Sequence, residues 1–220
     1  INITEMYDEL VKNPRVRKDK INSRVLLEKI AALKFESGYP YEMYEDNVNN
    51  THPLSGKVKF SNLCTEILQQ TTQSKFYDYE ERHKDEIGFG VSCNLGSLDI
   101  KNTMERRTIH KAVPLAVDAL TEVSDFTSIK NAPDIRRANK EMHSIGLGAM
   151  NLHGYLASVG IPYESPLAIE FVDVYFAAIN YYSIKRSMEI AKERGQTFVG
   201  FEQSTYADGS YFADYITNEY

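Results

Sequence analysis

The sequence predicts a helix-rich α/β fold, and three features carry that expectation. Several long stretches repeat their apolar residues near the 3.6-residue helical period and end in recognisable caps. Between them lie short apolar or alternating runs of strand length. The composition, 42% hydrophobic and 25% charged over 220 residues, suits an ordinary globular chain with a packed core. No repeat period or low-complexity tract interrupts it.

Residues 23 to 36, SRVLLEKIAALKFE, place Val25, Leu26, Lys29, Ile30, Leu33 and Phe35 near a helical period, with Asn22 as N-cap and Gly38 beyond the end. YPYEMYED (39 to 46) alternates its aromatics and reads as a short strand, and NVNNTHPLSG (47 to 56) reads as a loop from its turn residues. In SNLCTEILQQTT (61 to 72) an extended backbone would place Asn62, Cys64 and Glu66 on one face and Leu63, Thr65 and Ile67 on the other. The polar, charged stretch from Gln69 to Gly88 predicts an exposed excursion, and FGVSCNLGSLDI (89 to 100) returns to apolar and small residues. A chain that leaves and returns in this way can bring Cys64 and Cys93 within reach of each other.

From Thr108 to Thr127 the spacing is helical again, with Pro114 either in the first turn or at a kink. SIGLGAMNLHGYL (144 to 156) supplies Gly146 and Gly148, but Asn151 stands where a dinucleotide fingerprint needs its third glycine, and no strand is evident before it. Close helix packing is the expected use of those glycines. The segment from Ser165 to Gly195 has Ser165 as N-cap, Pro166 at the first helical position, basic residues in the last turn and Gly195 as terminator. Such a helix is roughly 40 Å long.

The net charge of -6 and the lack of a long Lys/Arg block argue against nucleic acid or an anionic membrane as the principal partner. No run approaches the roughly 20 apolar residues of a membrane helix, and the opening residues lack a secretory pattern, so a cytoplasmic protein is expected. The chain starts at Ile1 without a methionine and stops at Tyr220, which suggests a processed piece or a fragment. The five histidines form no paired motif, so no metal site is expected, and the 15 tyrosines read as amphipathic core and surface residues. Two cysteines with no C-x-x-C motif are too few for a disulfide framework; any role they have is as thiols.

Cys64 has two readings. A free cysteine is usually a small buried hydrophobe, yet Glu66 two positions away is a carboxylate that burial would penalise, which favours a surface or a cavity for the Asn/Cys/Glu face. Cys93 is either a thiol packed at a strand end or, among Ser92, Asn94, Gly96 and Ser97, a thiol that a ligand can approach closely. Neither has a neighbouring cation in sequence that would mark it as an ordinary thiolate nucleophile.

Taken together, FSNLCTEI, SCNLGSLDI, SIGLGAMNLHGYL and the opening NITEMYDELVKNPRVRKDKIN resemble the large catalytic subunit of class I ribonucleoside-diphosphate reductase, and SCNLGSL is most similar to the Ib subclass. The resemblance covers essentially the whole chain and corresponds to a middle section of a longer subunit. It implies that residues 1 to 220 are a single segment of the ten-stranded α/β barrel of that subunit. It further implies that Cys64, at the tip of an internal loop, becomes a thiyl radical that removes the 3′ hydrogen of a ribonucleoside diphosphate. Glu66 would take the 3′-hydroxyl proton and Asn62 would bind the sugar hydroxyls, with Leu63 and Thr65 completing the substrate contact. A hydrogen abstractor and a base serving adjacent atoms of one ribose must lie close together, in keeping with this spacing.

By the same resemblance Cys93 is a reducing cysteine whose partner lies upstream of Ile1. The resemblance also implies no cofactor bound in this segment, a small radical-generating beta subunit carrying a metal-radical cofactor, a thioredoxin- or glutaredoxin-like dithiol reductant, and a homodimer of the full subunit. Two other readings stand beside it: a non-catalytic fragment or helical interaction module, and a simple dithiol oxidoreductase using Cys64 with Cys93, which the missing C-x-x-C motif weakens.

Overall fold

The computed structural model describes residues 3–213; Ile1 and Tyr220, with which the chain opens and stops, lie outside them. The chain divides into two compact units, Ile1–Glu42 and Met43–Tyr220.

The first unit carries helices α1 (Ile3–Lys12) and α2 (Ser23–Ser37). The caps of α2 are those its sequence predicts. The Asn22 side chain accepts hydrogen bonds from the amides of Arg24 and Val25, at 3.0 and 3.3 Å. Gly38 takes a left-handed conformation at φ 78°, and its N–H bonds the Lys34 carbonyl. The expected strand at 39 to 46 does not form. Residues 38–44 are irregular, no described strand pairs with them, and the rings of Tyr39 and Tyr41 lie 4.9 Å apart instead of packing across a sheet. Alternation alone makes no strand without a neighbour to complete its backbone hydrogen bonds.

The second unit opens with α3 (Glu45–Thr51), which occupies the first part of the expected loop at 47 to 56. The asparagines that suggested a loop have a tertiary use here. Asn49 Nδ2 donates to the carbonyls of Glu45 and Val58, and its Oδ1 accepts from the Val58 amide, so one side chain fastens the helix to the chain after it.

Strands β1 (Leu95–Asp99) and β2 (Gly146–Met150) pair in parallel, with Leu95 opposite Gly146 and Asp99 opposite Met150. Between them run α4 (Ile100–Glu105), α5 (Ile109–Phe126) and α6 (Pro133–Met142). Gly146 and Gly148 thus lie on a strand, which corrects the expectation that they serve helix packing. A Cβ at Gly146 would stand 2.5 Å from Leu95 Cδ2, and one at Gly148 would stand 3.5 Å from Ser97 Oγ. Asn151, which broke the dinucleotide pattern, adopts a left-handed conformation at φ 68° that asparagine tolerates. It donates to Asp99 Oδ2 at 3.3 Å, tying the ends of both strands.

Pro114 lies inside α5, beyond the first turn, where its missing N–H leaves the His110 carbonyl without its helical donor. After α7 (Leu152–Ser158) comes α8 (Pro166–Arg194), whose 29 residues, Ser165 cap and Gly195 terminator match the sequence expectation. Ile100, Val113, Val117, Tyr175 and Ile179 form the main core, where α5 and α8 meet the strand pair. Within it the Tyr175 hydroxyl pairs with Thr103 Oγ1 at 2.8 Å, and burial pushes the phenol's pKa up. At the outer side of the same helices Arg186 binds Asp118, Glu189 and Glu193; Glu193 and then Asp118 hold its guanidinium above the ordinary range. Among the described residues no helix is long and apolar enough to cross a membrane.

The excursion after the first cysteine is present. The chain leaves at Gln73 and returns at Gly88, with Lys75 and Glu86 forming an isolated antiparallel bridge and residues 79–84 a 3₁₀ turn between. Hydrogen bonds close its base, among them one from the Gly88 amide to Ser74 Oγ at 3.0 Å. Gln69 Nε2 donates to the Gly90 carbonyl at 2.6 Å, the Thr72 amide to the Phe89 carbonyl at 3.1 Å, and the Phe89 amide to Thr72 Oγ1 at 2.8 Å. Gly88 is required there: a Cβ would lie 2.1 Å from the Thr72 carbonyl oxygen, a backbone atom with no rotamer to escape through. Gly88→Ala is therefore expected to destabilise the unit by about 1–3 kcal/mol, as overpacking does. Denaturant unfolding checks this, and an unchanged midpoint would show that the two segments are not held together at this point.

Candidate active site

The segment around Cys64 is a tight loop, which corrects the extended reading. The Thr65 amide donates to the Asn62 carbonyl at 3.0 Å, closing a turn over residues 62–65. Thr65 sits at φ 60°, a left-handed conformation that costs a β-branched residue on the order of 1 kcal/mol. The turn places Cys64 at its tip, exposed, with Leu63 beside it 82% exposed. Leu63 is therefore no part of the core, whereas Ile67 is buried. The two-faced alternation fails because the backbone reverses direction between residues 62 and 65.

Asn62 and Glu66 nevertheless meet, by a different route. Asn62 Oδ1 accepts from the amides of Glu66 and Ile67, at 3.1 and 3.0 Å, and Asn62 Nδ2 donates to Glu66 Oε1 at 2.9 Å. Two backbone N–H donors on one side require the oxygen there, so the amide orientation is determined and the NH₂ must face the carboxylate. One proton of that NH₂ goes to Glu66; the second is available to a ligand. Asn62 is half-buried, and Glu66 is exposed. The loop thus presents a thiol, a carboxylate and one amide donor on five consecutive residues.

Cys93 is also exposed, which corrects the reading of a packed thiol. It precedes β1 by two residues, and the side chain that turns inward is its neighbour Asn94, 4% exposed. Asn94 Nδ2 donates to Asn139 Oδ1 and to the Ser144 carbonyl, each at 3.1 Å, and the Asn94 carbonyl accepts from the Gly146 amide at 2.9 Å. Cys93 faces outward because this buried amide anchors the chain beside it to α6 and to β2. Both thiols are free. The hydrogen bonds at the base of the excursion join the stretches that follow Cys64 and precede Cys93.

Ser61 and Asn139 carry no sequence expectation, and Asn94, expected only as a small neighbour of Cys93, is buried. Their signal is weak in the sequence, since a serine or asparagine beside a cysteine is common. Their burial and partners become visible only in the fold. Among the described residues no three His, Cys, Asp or Glu side chains gather to hold a metal ion. His52 is placed by its Nε2, 2.7 Å from the Leu68 carbonyl, and His143 by its Nδ1, 3.3 Å from Asp125.

Comparison with known proteins gives this geometry its context. A family model described as "Ribonucleotide reductase, barrel domain" matches residues 2–220. A ribonucleoside-diphosphate reductase subunit alpha of Bacillus subtilis (strain 168) is 58% identical over 222 residues, covering 100% of this chain and 31% of the relative. The subunit alpha of Mycoplasma pneumoniae is 45% identical, again over 100% of this chain and 30% of the relative. The chain thus spans about a third of the length of these relatives. Among solved structures, the class Id ribonucleotide reductase alpha subunit of Actinobacillus ureae matches with a TM-score of 0.59 at 22% identity, over 87% of this chain and 34% of that one. That likeness supports the fold alone. With the family model spanning both compact units, the chain belongs to the ribonucleotide reductase family and is a segment of its barrel domain.

Proposed function

We propose that the whole protein reduces ribonucleoside diphosphates to deoxyribonucleoside diphosphates by a thiyl-radical mechanism centred on Cys64, supplying DNA precursors in the cytoplasm. The observation that carries this reading is the loop at 62–66, where the Asn62–Glu66 pair at 2.9 Å flanks an exposed thiol in a chain of this family. The sulfur of Cys64 takes the 3′ hydrogen of the ribose. Glu66 accepts the 3′-hydroxyl proton, and the second amide proton of Asn62 binds a sugar hydroxyl. Leu63 and Thr65 shape the loop surface on which the sugar rests. Confinement of these groups to one turn supplies the proximity that hydrogen abstraction and proton transfer at adjacent carbons require.

Cys93 and a second cysteine outside this segment then supply two electrons. The 2′-hydroxyl leaves as water, the two thiols become a disulfide, and Cys64 returns the hydrogen atom to C3′, which completes the deoxyribonucleotide and regenerates the sulfur radical. An external dithiol of the thioredoxin or glutaredoxin kind restores them. The radical originates in a metal-radical cofactor on a small beta subunit, and the full subunit acts as a homodimer. The exposure of Cys93 supports this part of the reading, because a reductant must reach the thiol.

Three outcomes test it. Cys64→Ser in the complete subunit is expected to abolish deoxyribonucleotide formation with the beta subunit present while leaving the thermal melt unchanged; wild-type turnover would end the assignment. Glu66→Gln keeps the hydrogen bond from Asn62 and removes the base, so kcat is expected to fall by about 10²–10⁴ with little change in KM. The opposite pattern, unchanged kcat with raised KM, would make Glu66 a binding contact. Finally, mild oxidation followed by peptide mapping is expected to leave Cys64 unpaired with Cys93, since a sulfur that must carry the radical cannot rest in a disulfide. A rapid, reversible Cys64–Cys93 bridge would instead favour a dithiol oxidoreductase.

A further inference from the structure

Ser61 stands immediately before the proposed site, half-buried, and its hydroxyl reaches across the base of the loop. Ser61 Oγ lies 2.6 Å from the Ile67 carbonyl oxygen and 3.0 Å from Asn62 Oδ1. A hydroxyl has one proton, and the shorter contact receives most of it. That bond joins residue 61 to residue 67 and so closes the loop at its two ends. The loop's other internal bonds all involve Asn62: the turn hydrogen bond to its carbonyl, the two amides on its Oδ1, and its contact to Glu66.

We propose that Ser61 is a positioning residue for the Asn62–Glu66 pair, holding the loop ends together so that the carboxylate and the Asn62 NH₂ stay fixed in the turn that carries Cys64. This rests on the reading that Cys64 and Glu66 carry the reaction. The physical argument is one of constraint. Thr65 is held in an unfavourable left-handed conformation, and among the described residues Cys64 and Leu63 at the tip are exposed, so within this segment the loop is held by its own hydrogen bonds. The buried Ile67 anchors one end of the turn, and Ser61 transmits that anchorage to the other through the Ile67 carbonyl. Without the hydroxyl, the Ile67 carbonyl loses this donor and Asn62 is held only from within the turn itself.

The test uses the complete subunit with its beta subunit. Ser61→Ala is expected to lower kcat roughly tenfold, the scale of one lost positioning hydrogen bond, with KM for the ribonucleotide within about twofold. Ser61→Thr, which keeps the hydroxyl, is expected to restore the rate. The decisive measurement is the double variant: on a Glu66→Gln background Ser61→Ala should cost clearly less than it does in the wild type, because one of the two groups it positions is already inactive. A residue that merely stabilises the fold would lose the same factor on both backgrounds. Ser61→Gly also lacks the hydroxyl and carries the same expectation if the alanine variant does not fold. Unchanged kcat in the hydroxyl-free variants, or an equal loss on both backgrounds, overturns the inference. If Glu66→Gln alone retains full turnover, the role given to Glu66 fails, and if Cys64→Ser does so the proposed function itself fails; both results are distinct from a failure confined to Ser61.

Discussion

The parallel pairing of β1 with β2 is the constraint from which the second unit is built. Two parallel strands cannot be joined by a tight turn, so the chain must cross back before the second strand begins. Here α4, α5 and α6 make that crossover, and α5 buries Val113 and Val117 against the same core that α8 reaches with Tyr175 and Ile179. The missing side chain of Gly146 leaves room for the Leu95 side chain on the facing strand. Asp99 ends β1 and caps α4 by accepting from the Asn102 amide, and Asn151 ties the same carboxylate to the end of β2. The polar groups at the strand ends are thereby satisfied without loosening the pair.

This frame determines where the thiols can be. Cys93 sits on the approach to β1, and its outward direction follows from Asn94, which is drawn inward by Asn139 and Ser144. Burial of an asparagine is tolerable only when its amide is paired, so the network that fixes Asn94 also fixes its neighbour. Cys64 is positioned more indirectly. Its loop stands on Ile67 and on the Gln69 and Thr72 contacts to Gly90 and Phe89, and beyond that base it is held by its own hydrogen bonds. The exposed thiol is therefore carried by a loop that is internally bonded and anchored on one side. Such an arrangement limits the movement of the sulfur.

The amide of Asn62 organises the turn with both of its ends. Its oxygen is committed to two backbone amides, and one of its protons to Glu66. Aspartate at this position would have no NH₂ to offer Glu66 and would set two carboxylates side by side, where like charges repel. Alanine would remove the turn's main support along with its donor. The geometry explains why an amide is suited to this position in physical terms.

The helices were legible in the residues themselves. Asn22 and Gly38 bound α2, Ser165 and Gly195 bound α8, and these caps act locally through hydrogen bonds within a few residues of sequence. The candidate groups Asn62, Cys64, Glu66 and Cys93 were legible as chemically distinctive residues, the first three closely spaced. Their arrangement was not. The sequence suggested an extended face for 62–66, a strand at 39–46, a loop at 47–56 and helix packing for Gly146 and Gly148; each depended on a partner distant in the chain or on a backbone reversal that side-chain spacing does not encode. Asn49 finds Val58, Asn94 finds Asn139, and β1 finds β2 only once the chain has folded. Side-chain types and local caps act over one or two turns and so are written in the sequence. Strand partners, buried amides and the closure of the Cys64 loop are settled by tertiary contacts, because each must satisfy a hydrogen-bonding group that no near neighbour can reach.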